Sequence, residues 1–540
     1  MEHDIIEFDF LPALVIWLRV TLIFTAIGLS IGFLSSVIQY KAAGPGRFIR
    51  GLLSCLYEII TLSPRRIFAL TTLTFKEAVR RKALLVFVLF AILFMFAGWF
   101  IEASDDRPDL AIKNYVSFVL TTITWLVLPV MLLLSCWGIP LDIKDRALHT
   151  VVTKPTTRLE IVIGRFLGYS IVGTIVLLAM SSVGYVWIIR QTPEKYRSEY
   201  LVCRVPVFGE LSFLDREGTV SEKGINVGDV WEYRSFIHGG TRARAIWKFP
   251  NFSSRYLVDD KLVLESHFEA FRTYKGKDMN TRIRLEYTLV NKEKKLRVPL
   301  GLFQINEFTN NVTEVPRKIK YHDQKLNEDR TVNLIEDLAP DGNLTVEVAC
   351  FDPGQLIGMG RPDFFIRTPD KPFYQGFAKT IFGIWLLLLL VVGLGVSASC
   401  FVKGPVASLL ILSLLIIGQG ARNFLDTMID NWNAGTLRGG GVTESIYRLL
   451  THSNETRKIE AGFMASAIKA IDESLFQFLA AISHIIPDFT KFQLAPILAN
   501  GFDISWSVHL FPAIAMTLGF LAPCILLGYF SLKFRELESK

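Results

Sequence analysis

The sequence predicts an α-helical membrane protein of about seven spans with an inserted, β-rich domain, and three observations predict this class. Hydrophobic residues make up 51% of the 540 residues, yet 20% are charged, and the apolar residues are concentrated in blocks. Seven blocks reach or approach the roughly 20 apolar residues that an α-helix needs to cross a bilayer. The polar stretch 190–375 instead alternates apolar and polar residues in short runs, which is typical of strands.

The predicted spans form two groups, four before the long polar stretch and three after it. The range 83–101 is the clearest because it contains no charged residue, and 404–421 is the weakest because it is short and contains Gln419. The acidic N-terminus lacks the basic residues of a signal peptide, so we expect the first span to be retained. The spans are 20–39, 83–101, 115–136, 165–189, 376–400, 404–421 and 506–530.

Lysine and arginine residues predict the orientation, because short cytoplasmic loops are enriched in them. Segment 40–82 contains nine basic residues, and loop 137–165 and the C-terminal tail are also basic. Loop 102–114 has four acidic residues against two basic ones, as expected outside. We therefore expect a multi-pass protein of the cytoplasmic (inner) membrane, with its N-terminus outside and its C-terminus inside. Both long polar stretches, 190–375 and 422–505, then lie outside.

The stretch 190–375 is predicted to be an extracytoplasmic β-rich, sandwich-like domain. Apolar and polar residues alternate in 261–271, 281–290 and 343–351. Turn-forming residues separate such runs at 238–240, 275–278 and 340–343. Several short strands with polar turns between them favour a β-sandwich.

Two of the six cysteines, Cys203 and Cys350, lie in this stretch, and the other four lie in or beside apolar spans. An oxidising compartment would permit a Cys203–Cys350 disulfide, and two buried free thiols are an equal alternative. The spacing of the cysteines and of the eight histidines does not match a metal site, so we expect none.

An amphipathic helix is predicted at about 457–486, within the second outer stretch. Apolar residues recur there at steps of three and four, whereas Lys469, Asp472 and Glu473 oppose a full crossing of the bilayer. Three alternatives remain open. The helix lies on the membrane surface, or its apolar end, 474–486, enters the bilayer and returns, or it packs on the β-domain.

The remaining motifs exclude several function classes. The net charge is +7, but the basic residues lie beside apolar spans and do not alternate with aromatic residues as in a nucleic-acid-binding groove. We therefore expect no nucleic-acid binding. The sequence contains no GxxxxGK[ST], HExxH or GxSxG, and we expect neither an enzyme nor a cofactor. Asp426 and Asp430, one helical turn apart, permit cation or proton handling but are more typical of an exposed helix end.

Two pairs of glycines are spaced four residues apart. Gly28 and Gly32 lie within the first span, where this spacing permits close approach of another helix. Gly164 and Gly168 lie at the entrance of a span, where the spacing is equally consistent with simple flexibility.

Two basic segments flank the second and third spans on the predicted cytoplasmic side. Segment 63–82 begins with Ser-Pro, a helix-entry signal, and is predicted to be a helix in the membrane interface. In segment 137–168, Ile139-Pro140 is expected to close the preceding span, and a short helix is expected from about Leu141 to Val151. Lys154-Pro155 ends that helix, and Thr157 is expected to cap the next span.

These residues resemble the ABC-2-type transporter permease family over 63–189 of the chain. TFKEAVRRKALLV resembles the family's elbow helix, and IPLDIKDRALHTVVTKPTTRLEIVIGRFLG resembles its cytoplasmic coupling segment and the start of the next span. The order of elbow helix, span, coupling segment and span also agrees. The chain departs from the family where Glu and then Gly-Thr are common, and the first span and the insert 190–375 are not universal.

The resemblance implies the membrane subunit of an ABC transporter, which pairs with a second permease subunit and usually exports its substrate. A separate cytoplasmic ATPase subunit docks on the coupling helix and supplies ATP hydrolysis. The implied docking residues are Asp142, Asp145, Arg146, Leu148, His149 and Thr150. The alternative is a membrane-anchored receptor or assembly factor whose outer β-domain binds a ligand or protein.

The sequence thus predicts four regions. An extra span and linker occupy 1–62, and the elbow helix, first core spans and coupling segment occupy 63–189. The β-rich domain occupies 190–375, and the C-terminal spans with the amphipathic helix occupy 376–540.

Overall fold

A computed structural model describes most of the chain as two compact units. The helical unit comprises Phe8–Pro193, Phe377–Ala499 and Ser505–Lys540, and the β unit comprises Glu194–Gly376 and the short segment Asn500–Ile504. The residues described are 8–41, 44–80, 89, 92–93, 108–145, 156–221, 224–225, 234–272, 283–305, 310–323, 328–433, 440–452, 454 and 462–534.

The helices are numbered in chain order. The first five are α1 (Phe10–Tyr40), α2 (Gly44–Ile60), α3 (Pro64–Arg80), α4 (Pro108–Lys144) and α5 (Arg158–Gln191). The short α6 (Glu194–Tyr200) precedes the strands. The later helices are α7 (Phe373–Phe401), α8 (Gly404–Ile416), α9 (Arg422–Asn433), α10 (Val442–Leu450), α11 (Phe463–Ile485), α12 (Ala495–Ala499) and α13 (Phe511–Phe534).

Five helices among the described residues are long and apolar enough to cross a membrane. A sixth candidate is a pair, Gly404–Gly420 and Phe424–Asn433, bent by 55°. The prediction of several membrane-length helices beside a separate β region is confirmed. The predicted span 83–101 lies outside the described residues apart from 89 and 92–93, which are helical.

Helix α4 differs from its prediction at its C-terminal end. Ile139-Pro140 was expected to end the span and Leu141 to begin a new short helix, and both expectations are wrong, because α4 continues to Lys144. Proline at 140 deprives only one preceding carbonyl of its donor, and membrane helices tolerate this loss. The 37 residues of α4 extend about 55 Å, well beyond the roughly 30 Å of hydrocarbon.

The β unit contains antiparallel strands in four open sheets. The sheet orders are β3-β2-β5-β13-β8-β9, β1-β15-β6-β10, β4-β14-β7 and β11-β12. The strands are β1 (Val202–Phe208), β2 (Glu210–Leu214), β3 (Val220–Ser221), β4 (Ser235–His238), β5 (Arg244–Phe249), β6 (Lys261–Ser266), β7 (Glu269–Arg272), β8 (Ile283–Asn291), β9 (Leu296–Ile305), β10 (Asn311–Pro316), β11 (Lys318–Asp323), β12 (Glu328–Asn333), β13 (Leu344–Cys350), β14 (Gln355–Met359) and β15 (Phe364–Pro372).

The alternating runs in the sequence correspond to strands, with one difference. Runs 281–290 and 343–351 contain β8 and β13, which pair with each other in the six-stranded sheet. Run 261–271 divides into β6 and β7, which belong to two different sheets. The backbone N–H of His267, between them, donates to the carbonyl oxygen of Asp363 at 2.8 Å, so the strand pattern is interrupted there.

One hydrophobic core unites the four sheets. Trp247 of β5 and Phe364 of β15 come from the two largest sheets, and their ring centroids are 5.0 Å apart. The hydroxyl groups of Tyr287 and Ser266, also from these two sheets, are 2.9 Å apart. Both rings and both hydroxyl residues are buried, so the inner faces of the sheets exclude water from a shared interior.

Cys203 and Cys350 are both buried and belong to different sheets. They are thiols, and no disulfide joins these two described residues. The disulfide alternative is therefore wrong for this structure. Burial raises the pKa of the Cys350 thiol to about 11, because the charged thiolate would lose its hydration.

A short segment distant in sequence completes the edge of the four-stranded sheet. The backbone N–H of Arg204 donates to the carbonyl oxygen of Gly501 at 2.8 Å, and that of Asp503 donates to the carbonyl oxygen of Arg204 at 2.8 Å. The ammonium of Lys371 pairs with the Asp503 carboxylate at 2.8 Å. Asn500–Ile504 is thus an integral part of the β unit.

Candidate functional site

The predicted docking segment begins at the end of α4, where only its first residues are described. Asp142 lies in the last turn of α4, and Asp145 follows that helix. The other four predicted docking residues lie outside the described residues, and they are Arg146, Leu148, His149 and Thr150.

Asp142 is not an exposed docking residue, so this part of the prediction is wrong. Its side chain is only 4% exposed and pairs with the guanidinium of Arg165 in α5. Asp145 is exposed, and its backbone N–H donates to the carbonyl oxygen of Leu141 at 2.8 Å. Of the two predicted docking residues that the structure describes, Asp145 is therefore the one that is accessible to a partner.

Arg165 joins three helices through two carboxylates. One terminal nitrogen of its guanidinium bonds to Asp142 of α4, and the other bonds to Glu77 of α3. The planar guanidinium suits this arrangement because its donors diverge in a fixed geometry. The Arg165 side chain is 10% exposed, so breaking either pair would leave a buried charge without compensation.

A second buried carboxylate, Glu160, holds the start of α3 against the start of α5. Glu160 is fully buried and accepts hydrogen bonds from the backbone N–H groups of Ser63 and Thr157, both at 2.9 Å. The guanidinium of Arg66 lies 3.2 Å from the same carboxylate. The Thr157 hydroxyl accepts in turn from the Glu160 N–H, which confirms Thr157 as the cap of α5 in a capping box.

Between these charges, α3 and α5 are in close contact through glycines. A Cβ on Gly164 would lie 2.6 Å from Cβ of Leu70, and one on Gly168 would collide with Thr74. Gly28, in contrast, has nothing within 4 Å of such a Cβ. A Cβ on Gly32 would lie 3.3 Å from a ring carbon of Phe48, so the glycine pair at the entrance of the span permits the closer helix approach of the two pairs.

The end of α13 joins the same region. The Arg158 guanidinium of α5 donates to the carbonyl oxygen of Lys533 at 2.6 Å. Lys533 and Tyr529 of α13 both donate to the Glu58 carboxylate of α2, at 2.9 and 2.7 Å. Burial alone would raise the pKa of Glu58, but the hydrogen bonds from Lys533 and Tyr529 hold it below its ordinary value.

We call the cluster of Arg165, Asp142, Glu77, Glu160 and Arg66 the charged junction. It brings together α3, the C-terminal end of α4 and the N-terminal end of α5. Beside it, Arg158 of α5 contacts Lys533 of α13, and Lys533 in turn contacts Glu58 of α2. The three segments predicted to be cytoplasmic, 40–82, 137–165 and the C-terminal tail, therefore meet at one end of the helical unit.

The ion pairs of Arg165 connect three helices, so that movement of one helix would move the others. Each carboxylate of the charged junction pairs with an arginine, accepts a hydrogen bond from a backbone N–H, or does both, as is typical of structural ion pairs. Among the described residues, no three His, Cys, Asp or Glu side chains are grouped as metal ligands would be. Asp426, the other acidic candidate, pairs with Arg422 at 2.8 Å along α9.

The sequence contained a signal for the charged junction that the predictions did not use. Glu160 and Arg165 stand at the start of a long apolar helix, and ionisable residues in such helices have partners by default. Their partners could not be named, because Glu77 is 88 positions and Ser63 is 97 positions away in sequence.

No family model matches the chain, and neither a curated protein nor a solved structure is detectably similar to it.

Proposed function

We propose that this protein is the membrane subunit of an ABC-type transporter that exports a substrate using a separate cytoplasmic ATPase. The observation that supports it most is the charged junction. Through Arg165, the last turn of α4, where the proposed coupling segment begins, is tied to both α3 and α5. An ATPase pressing on this segment would displace three helices together.

The lengths of the helices support this mechanical role. Helix α4 exceeds the hydrocarbon thickness by about 25 Å, so one or both of its ends project beyond the hydrocarbon. Helix α5 starts next to that end with a fully capped first turn. Since both helices are continuous from end to end, a displacement at residues 142–145 would be carried along them towards the opposite side of the bilayer.

The orientation is part of the proposal. The end of the helical unit that contains the charged junction collects the basic segments, and basic segments favour the cytoplasm. The chain enters the β unit after the opposite end of α5 and leaves it into α7. We therefore place the β unit, as a sandwich-like domain, outside the cell, and we expect a second permease subunit to complete the transport pathway.

Crosslinking from position 145 tests the proposal directly. With p-benzoylphenylalanine in place of Asp145, we expect illumination of native membranes to attach an ATPase that contains a P-loop, identified by mass spectrometry. The Asp145→Arg and Leu148→Asp variants should lose this ATPase on purification, and the ATP hydrolysis of the purified complex should be lost with it. Substitution of an exposed acid of the same unit, Asp430→Arg, should leave both the complex and its hydrolysis rate unchanged.

A membrane-anchored receptor or assembly factor is the second candidate, and the separate core of the β unit favours it. A β unit with its own interior is able to present a binding surface without help from the helices. This candidate predicts that crosslinks from exposed β-unit positions such as Glu217 identify a specific partner, while position 145 yields no ATPase. That outcome would exclude the transporter proposal.

A further inference from the structure

Helices α9, α10 and α11 pack together after α8, within the helical unit. The Trp432 ring of α9 stacks on Phe476 of α11 with centroids 4.4 Å apart and planes at 12°. The Asp472 carboxylate of α11 accepts from the backbone N–H groups of Thr443 and Glu444, at 2.7 and 3.0 Å. Asp472 therefore caps the first turn of α10 and fixes it to α11.

Two charged side chains at the contact between α10 and α11 are buried. Asp472 is 1% exposed and Arg448 is 9% exposed. Arg448 pairs with Glu444 one turn earlier and donates to the carbonyl oxygen of Asn454 at 2.8 Å. An unpaired carboxylate at Asp472 would oppose burial in a membrane, but the hydrogen bonds of Asp472 are made with protein groups.

Several large apolar side chains of α10 and α11 are instead exposed. Leu449, for example, is 76% exposed. On α11, Met464, Ile471 and Phe478 recur every seven positions, which places them on one side of the helix. The exposed large apolar residues are Val442, Ile446, Leu449 and Leu450 on α10 and Phe463, Met464, Ile471 and Phe478 on α11.

The opposite side of α11 is polar. Lys469, Glu473 and Gln477 recur every four positions and are exposed. The packed side, with Asp472 and Phe476, lies between the apolar and polar sides. This three-sided distribution is expected of a helix in contact with protein, hydrocarbon and a polar environment at once.

The end of α11 lies beside the bent helix pair that forms the sixth span candidate. The Arg422 guanidinium, where α9 begins, donates to the carbonyl oxygens of Ser483 and Ile486 at the end of α11. A side chain on Gly418 would collide with the Phe489 ring and would lie 2.7 Å from the carbonyl oxygen of Pro487. The turn after α11 is therefore level with Gly418.

The depth of Gly418 follows from the rise of the helix. Gly418 is 14 residues after Gly404 in the α8 segment, which corresponds to about 21 Å. Gly404 lies against the indole of Trp137, five residues before Asp142 of the charged junction. With Gly404 at the edge of the hydrocarbon layer, which is roughly 30 Å thick, Gly418 lies within the layer, and a tilt of α8 would only shorten the rise.

We propose that α11 is a re-entrant helix. It enters the bilayer from the side opposite the charged junction, its exposed apolar side contacts lipid acyl chains, and the turn 486–489 lies in the hydrocarbon. Lipid is the occupant that fits, because the preceding helix α8 is uncharged and exposes Leu409, Leu412 and Ile416 in the same way.

Labelling from the lipid tests this on the unmodified protein. We would reconstitute the full chain in nanodiscs of phosphatidylcholine whose acyl chains end in a photoactivatable diazirine, and map the adducts by mass spectrometry. Adducts on peptides containing Ile471 and Phe478 are expected, alongside those on α8. Adducts on α8 with none on α11 would overturn the proposal.

A second measurement compares two neighbouring positions. Nitroxide labels on Phe478→Cys and Gln477→Cys, in a cysteine-free chain that elutes as the parent does, report collisions with oxygen and with a water-soluble nickel chelate. We expect the ratio of oxygen to nickel collisions to be severalfold higher at 478 than at 477. Equal access of nickel to both positions would place α11 in water, and short label-to-label distances between copies would assign the apolar side to a second copy; either result overturns the proposal.

Discussion

Arg165 is the residue at which three elements of the helical unit converge. Its partners Asp142 and Glu77 lie 23 and 88 positions away in sequence, on two other helices. Each group alone would be costly to bury, and together they are stable only as a set. Asp472 is also a buried carboxylate, but it accepts a hydrogen bond from a backbone N–H group of α10 rather than from an arginine.

Replacing Arg165 with methionine should therefore destabilise the protein strongly. Two neighbouring carboxylates would lose the guanidinium that pairs with both of them, and breaking such a buried pair costs about 3–5 kcal/mol. The unfolding midpoint of the purified protein in detergent measures this change. Adding Asp142→Asn and Glu77→Gln to Arg165→Met should restore part of the loss, because the two negative charges are then removed.

The exposed Arg190, on the same helix, provides the matched control. Arg190→Met should leave the unfolding midpoint unchanged. If Arg190→Met and Arg165→Met lowered the midpoint equally, the charged junction would have no special role in stability.

Cys350 gives a second prediction at the residue scale. Because burial raises its pKa to about 11, only a small fraction is thiolate at pH 8.5 in the folded protein. An unfolded cysteine is about half thiolate at that pH, so the thiolate fraction alone should slow alkylation of folded Cys350 by about a hundredfold. Iodoacetamide labelling with and without denaturant, followed by peptide mapping, measures the ratio. Labelling of denatured protein should need no reductant, and a requirement for reductant would indicate a disulfide.

At the scale of elements, the contact between α3 and α5 shows what the sequence could and could not predict. The extent of α3 (Pro64–Arg80) and the cap at Thr157 follow from local signals, a Ser-Pro entry and a Thr-x-x-Glu box, and the structure has both. The roles of the two glycine pairs, in contrast, depend on which helix lies nearby. Local sequence does not contain that information.

Pro140 and the segment KLVLESHFEAF show the same limit. Proline is a strong local signal, but the apolar surroundings of α4 carry the helix past it to Lys144. The alternation in 261–271 predicts strands correctly, yet a bond from His267 to Asp363 divides it between two sheets. Long-range contacts decide both cases.

Adding a methyl group at Gly168 should separate α3 from α5. The new Cβ of Gly168→Ala would collide with Thr74, and such overpacking costs about 1–3 kcal/mol. Gly28→Ala meets nothing within 4 Å and should be neutral or stabilising by up to about 1 kcal/mol, since alanine favours the helix. Thermal unfolding of both variants measures the contrast. Equal destabilisation, or the reverse order, would show that the first-span pair is the one in close contact.

At the scale of the whole molecule, the orientation connects every part of the proposed function. The basic segments 40–82 and 137–165 and the C-terminal end of α13 converge around the charged junction although they are far apart in sequence. Which side of the membrane this end faces stays a prediction from the basic residues. Their meeting at one end makes a single test of sidedness decisive for all of them.

Two single-cysteine positions provide that test. Asp145 follows α4 and Glu217 lies in a turn of the β unit, and both are exposed. In intact cells, a membrane-impermeant maleimide should label Glu217→Cys fully and Asp145→Cys only after the membrane is permeabilised. Five of the six native cysteines, at 136, 203, 350, 400 and 524, are buried, and the sixth, Cys55, is replaced by serine in the parent protein so that the background is low. Labelling of Asp145→Cys in intact cells would place the coupling segment outside, out of reach of any cytoplasmic ATPase, and the transporter proposal would then fail as a whole.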